Sequence, residues 1–227
     1  MNLLAIDTTE SACSAALALG GEIRSRFQVA PRQHSELLLP MVEELLAEAG
    51  LGVTGLDGIA FSRGPGSFTG IRIATGVAQG IALGADLPVV PVSTLMALAQ
   101  GALRETGAGR VLAALDARMG ELYWAAFDQG PEGLCLLGSE MVAPPPRVRA
   151  PEAQDWVATG SGWDSYREQL LPRFRPTSVL HDRQVHARDV AALGIDGLMR
   201  GEGLPAEQAL PVYLRDQVAS KPARTGG

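Results

Sequence analysis

Lysine is nearly absent from this sequence: Lys221 is the one lysine in 227 residues, and the formal net charge is -6. A chain that grips phosphates unaided usually carries a basic stripe, so most of any nucleic-acid contact is expected to come from another protein. Histidine is scarce too. Only His34, His181 and His186 are present, and no two stand at helical metal-ligand spacing with a carboxylate partner. The two cysteines, Cys13 and Cys135, fall in apolar strand-like runs without CxxC spacing, which points to a reduced, cytoplasmic setting. There is no Gly-x-Ser-x-Gly elbow and no cysteine placed beside a histidine, so no nucleophile is visible. Apolar runs are short as well. The longest, Ile73 to Leu87, is glycine-rich, contains Gln79 and cannot span a bilayer. Asp7 and Glu10 interrupt the apolar start, and Met1-Asn2-Leu3-Leu4 has no basic stretch, so neither a signal peptide nor a membrane partner is expected.

What is present is an α/β pattern. With 46% hydrophobic residues the chain can build a core for one large domain or two small lobes. Leu3 to Ile6 reads as a strand buried on both faces, Ala12 to Leu19 as a second, and Glu22 to Val29 as a third after a Gly20-Gly21 turn. Ser35 to Ala49 reads as a helix with Leu38, Met41, Val42, Leu45 and Leu46 on one face, and Pro40 is expected to kink it or delay its first turn. A strand at Ile59 to Ser62, a helix at Thr69 to Ala85, a strand at Val89 to Val92 and a helix at Thr94 to Arg104 follow.

The pattern then restarts, with strands at Arg110 to Leu115, Glu121 to Phe127 and Leu134 to Val142. Strand-Asp-turn-strand-strand therefore occurs twice, at Asp7 and at Asp116. A duplicated three-strand start followed by helices is the plan of the actin and hsp70 superfamily, a ribonuclease H-like architecture of two lobes, here residues 1–104 and 105–227. After the Pro-rich loop Ala143 to Pro151 the pattern thins to a strand at Trp156 to Thr159, a helix at Val190 to Arg200 and an extended Leu210 to Arg215. The second lobe is expected to be reduced.

Several stretches can carry function. In Ile6-Asp7-Thr8-Thr9-Glu10, a carboxylate at the end of a buried strand followed by hydroxyls can hold a metal-bound phosphate, or the same groups can cap the hairpin's own backbone. In Arg63 to Arg72 the glycines allow close backbone approach and Thr69 can cap the next helix, but no Gly-Lys-Ser/Thr makes it a P-loop. Along that helix Gly76, Gly80 and Gly84 recur every fourth residue and leave one face bare. That face either packs on the lobe's own sheet or receives another protein, with Ile73, Val77 and Ile81 opposite it serving the core. Ser93 to Ala97 stands where a metal-using member of the superfamily would carry histidines. In Asp116 to Trp124, Asp116 and Arg118 can pair in the turn and Gly120 suits a tight bend. Tyr123 and Trp124 alternate, one toward the core and one toward a cleft or partner.

Five stretches together resemble the bacterial TsaB (YeaZ) family: Ala5 to Thr9, Gln33 to Leu38, Gly64 to Arg72, Asp116 to Glu121 and Pro211 to Arg215. That resemblance implies a non-catalytic scaffold in the making of threonylcarbamoyladenosine at position 37 of tRNA, with no catalytic residue and no metal of its own. It implies pairing with the catalytic subunit TsaD, recruitment of the ATPase TsaE, pairing with itself, and tRNA reached only through the complex. The contact residues it implies are Ser35, Leu38, Met41, Val42 and Leu45 on the first helix, with Gly66, Ser67, Phe68, Thr69, Arg72, Gly76, Gly80 and Gly84 on and before the second. Asp7, Thr8, Thr9, Gly160 and Gly162 match parts of the superfamily's nucleotide site, so ATP or ADP is expected, if anywhere, at a partner interface. Two other readings are a stand-alone actin-like ATPase or kinase, and a metallopeptidase, which the lack of paired histidines opposes.

Overall fold

The computed structural model describes residues 1–215, so Lys221 lies outside the described residues. Gly20 and Gly21 take φ of +59° and +90°, the left-handed values with which a two-residue turn matches strand twist. They join β2 (Ala12–Leu19) to β3 (Glu22–Val29), and β1 (Leu3–Asp7) lies antiparallel on the other side of β2. β1 is buried throughout and β2 nearly so, because both faces of the sheet are covered, whereas β3 forms an edge and is mostly exposed. β4 (Gly58–Gly64) pairs parallel with β1, and β5 (Val89–Ser93) pairs parallel with β4.

The second sheet repeats this order. β6 (Arg110–Arg118), β7 (Glu121–Gly130) and β8 (Gly133–Ala143) run antiparallel, then β9 (Trp156–Thr159) and β10 (Ser178–Leu180) add in parallel beside β6. The two orders are β3-β2-β1-β4-β5 and, read from the matching edge, β8-β7-β6-β9-β10. The fold is therefore the duplicated, two-lobed actin-like α/β plan that the restarted pattern implied.

Helices α1 (His34–Ala49) and α2 (Phe68–Ala85) cover the outer face of the first sheet. Helix α3 (Thr94–Thr106) leaves that sheet and lies between the two. α4 (Ser161–Ser165) and α5 (Arg167–Phe174) lie on the outer side of the second sheet, and α6 (Ala187–Met199) returns to pack beside α3. The inner helices are exchanged. α3 packs chiefly on β6, β7 and β9, whereas α6 packs on β1, β2 and β4. One continuous core results, with Leu3 and Val90 from the first sheet, Leu95 and Leu98 from α3, Val111 and Phe127 from the second sheet, and Val190 from α6. The chain after α6 also stays with the first sheet: Leu204 bridges Val89, and the Val212 N–H donates to the Arg63 carbonyl at 2.8 Å.

Three differences from the sequence pattern have local causes. α1 starts at His34 and runs unbroken past Pro40. Glu36 and Pro40 are both exposed, so water can reach the carbonyl that proline leaves without a donor. α4, α5 and β10 were not anticipated, because they are five, eight and three residues long and too short for a period to register. The second lobe keeps its full strand count. Its reduction lies in those outer helices, against 16 and 18 residues in α1 and α2.

Candidate functional site: an interlobe cleft and a bare helix face

The Asp7 turn is closed by its own chain. Asp7 is fully buried and accepts the Thr9 hydroxyl at 2.7 Å, while its Oδ2 has no hydrogen-bond partner. Burial pushes its carboxyl up to about 6. The Thr8 hydroxyl donates to the Gly70 carbonyl at 2.6 Å, and the Thr9 carbonyl accepts the Ser67 N–H at 2.7 Å. A Cβ at Gly66 would lie 2.4 Å from the Thr9 carbonyl oxygen, and one at Gly70 would lie 1.9 Å from that of Thr8. The glycines of this loop thus permit approach of the chain to itself. Ser67, not Thr69, caps α2, accepting the Gly70 N–H at 3.4 Å, because Thr69 lies one residue inside the first turn and is exposed.

Gly160 and Gly162 have a similar use. Gly160 takes φ +101°, and a Cβ there would lie 2.3 Å from the Ala114 carbonyl oxygen. One at Gly162 would meet the Ala114 side chain at 2.9 Å, so both let the start of α4 rest on β6.

Between the lobes lies a cleft of about 630 Å³. Of the five residues expected at a nucleotide, only Thr9 lines it. Its inner wall is instead Glu10, the last residue of the hydroxyl turn, with Ser161 and Asp116. The Ser161 hydroxyl donates to Glu10 Oε1 at 3.1 Å and accepts the Asp116 N–H at 3.1 Å, which links the two lobes. Burial, with the nearby Asp7 charge, pushes the Glu10 carboxyl up to about 7, and its Oε2 has no partner. Asp116 and Arg118 pair at 3.0 Å, and Gly120 takes φ +77° in the bend. Tyr123 lines the cleft while Trp124, 1% exposed, enters the outer core of the second sheet, so the alternation holds.

The segment Val212 to Arg215 crosses the mouth of the cleft. Tyr213 accepts Arg72 Nε at 2.9 Å on the first lobe, and Arg215 reaches Glu121 of the second at 2.6 Å. After β5, Ser93 caps α3 by accepting the Met96 N–H at 3.1 Å and donates to Glu140 of β8. Arg63 also reaches Glu140, at 3.4 Å. The position expected to lack histidines is therefore a junction between lobes.

The helix faces divide the expected contact residues. Leu38, Met41, Val42 and Leu45 cannot form a contact surface: all four are buried in the core beneath α1, because they are the stripe that holds this helix on its sheet. Ser35 is exposed. On α2 the buried stripe is Ile71, Ala74, Thr75, Ala78 and Ala82, whereas Ile73, Val77 and Ile81 are only half-buried on its flank. Gly76, Gly80 and Gly84 face outward, and a Cβ at any of them would meet nothing within 4 Å. Packing on the lobe's own sheet is thus excluded as their role. Leu83, 75% exposed, adds an apolar side chain to the same helix surface. Phe68, Thr69 and Arg72 are exposed at the other end of α2, beside the cleft.

A family model described as "TsaD: tRNA N6-adenosine threonylcarbamoyltransferase" matches residues 27–219. The chain is 44% identical to the tRNA threonylcarbamoyladenosine biosynthesis protein TsaB of Escherichia coli, over 97% of both chains. The chain belongs to the TsaB family. The TsaB protein of Haemophilus influenzae is 34% identical, over 97% of this chain and 96% of its own. YeaZ from Pseudomonas aeruginosa, a solved structure, matches with a TM-score of 0.90 at 50% identity, covering 94% of this chain and 99% of that one.

Proposed function

We propose that this chain is a non-catalytic subunit in the making of threonylcarbamoyladenosine at position 37 of tRNA, pairing with TsaD and recruiting the ATPase TsaE in the cytoplasm. The names of its TsaB relatives support the pathway. The observation that carries the scaffold role is the outward ridge of Gly76, Gly80 and Gly84. Glycine in an exposed helix interior costs roughly 1 kcal/mol against alanine, so three of them weaken the helix and leave a face onto which another backbone fits. The same ridge suits pairing of two copies of this chain when TsaD is absent.

In this role the subunit has no cofactor of its own, and ATP or ADP belongs at the interface with its partners. The inward hydrogen bonds of Thr8 and Thr9 support that assignment over a stand-alone ATPase or kinase. The purified chain is expected to show no turnover. tRNA modification should appear when TsaD, TsaE and threonylcarbamoyl-adenylate are added. Full modification by TsaD and TsaE without this chain would overturn the proposal, and ATP hydrolysis that disappears in a folded Asp7→Ala variant would favour the ATPase instead.

A further inference from the structure

Around the mouth of the cleft, at the end of α2 away from the glycine ridge that carries the scaffold role, exposed rings and guanidinium groups gather. Phe68 is 48% exposed and Tyr213 39%, with ring centroids 5.8 Å apart and planes tilted by 40°. Arg72 lies 3.6 Å above the Phe68 ring and donates to the Tyr213 hydroxyl, which fixes both rings in place. Arg118, its side chain 85% exposed, and Arg32, also exposed, line the same cleft. Neither Arg32 nor Arg72 enters an ion pair among the described residues. In a chain of net charge -6 this is a local excess of cations.

Rings of this kind with arginine also mark protein interfaces. Here, however, two of the three arginines, Arg32 and Arg72, lack an acidic partner among the described residues, and the third, Arg118, is held by Asp116 with its own side chain 85% exposed. That combination is complementary to a phosphate backbone whose unpaired bases stack on aromatic faces. The modified position of the tRNA lies in a single-stranded loop, where bases are free to stack.

We infer that Phe68, Arg72 and Tyr213, with Arg32 and Arg118, form a platform on which this subunit itself holds single-stranded RNA of the tRNA substrate. The inference rests on the proposed role in tRNA modification. It also refines the expectation from the scarcity of lysine: the complex supplies most of the RNA contact, and five residues of this chain supply a local share through arginine and ring faces.

The test is the double variant Arg118→Glu/Tyr213→Ser in the reconstituted complex, with thermal unfolding as a check on the fold. The KM for tRNA should rise about tenfold or more, with kcat and association with TsaD unchanged, and the wild-type advantage should shrink as salt is raised. An unchanged KM would overturn the inference, and so would lost association with TsaD or TsaE at unchanged RNA affinity, which would mark the rim as a protein contact. Failure of the wild-type chain to join TsaD would sink the scaffold role instead. In that event, titration of an anticodon stem-loop RNA onto the chain alone decides the platform: binding weakened by the double variant supports it, and no binding by the wild type refutes it.

Discussion

Replacing the three ridge glycines by alanine should make the isolated chain more stable and its pairing with TsaD weaker. A Cβ at Gly76, Gly80 or Gly84 meets nothing within 4 Å, so no clash opposes the gain in helix propensity. Each substitution in a helix interior is worth about 0.8–1.0 kcal/mol. Gly84 is the penultimate residue of α2, where propensity counts for less, so the triple variant should gain roughly 2 kcal/mol. For a chain of this length that corresponds to a Tm higher by about 4–8 °C. Urea and thermal unfolding, at concentrations where the chain is monomeric by light scattering, would read the gain. Gly80→Leu carries the steric argument further, because its side chain would hold a docked backbone away and cost about 2 kcal/mol of affinity, roughly thirtyfold. A triple variant that is less stable than wild type would show that the ridge is occupied. Wild-type affinity of Gly80→Leu for TsaD, with the fold intact, would show that the ridge is not the docking face.

Gly70→Ala should behave oppositely, losing at least about 2 kcal/mol in urea unfolding, because its Cβ would press on the Thr8 carbonyl. Glu10 and Asp7 both bind protons more tightly folded than unfolded, so their contribution is full below about pH 4 and is lost as pH rises toward about 7. Glu10→Gln should therefore raise stability at pH 8 by on the order of 1–3 kcal/mol, leave it nearly unchanged at pH 4, and flatten the slope between, as denaturant midpoints would record. Asp189, its side chain 4% exposed, holds Arg104 through bonds of 2.8 and 3.0 Å, and Asp189→Ala should cost about 2 kcal/mol, moderated because the 38% exposed Arg104 can turn to water.

The parts of the fold legible in the sequence are those where one period runs long enough. β2 and β3 match their observed limits because alternation or continuous burial covers eight residues and the Gly20-Gly21 turn admits few alternatives. α4, α5 and β10 were invisible because a five-residue helix and a three-residue strand have no period, and Pro172 interrupts α5. The exchange of α3 and α6 between sheets was equally hidden, since an apolar helix face does not state which sheet it will meet. On α2 the glycine spacing was plain, but whether it faced inward or outward depended on Ala74, Ala78 and Ala82. Those small side chains proved to be the inner stripe, and Ile73, Val77 and Ile81 its flank.

The hydroxyl turn after β1 spends its polar atoms on the chain itself. Thr8 and Thr9 retain the hydroxyls that would suit a phosphate, yet one is tied to the Gly70 carbonyl and the other to Asp7. The same contacts anchor the start of α2, since Ser67 donates its N–H to Thr9 and then caps the helix. The orientation of the glycine ridge therefore depends on the Asp7 turn: loosening the turn would rotate or fray the first turn of α2 and disturb the face further along it. A turn of this shape need not bind a ligand to be required. Holding the start of α2 against its own sheet is sufficient structural reason for Asp7, Thr8 and Thr9 to stand where they do.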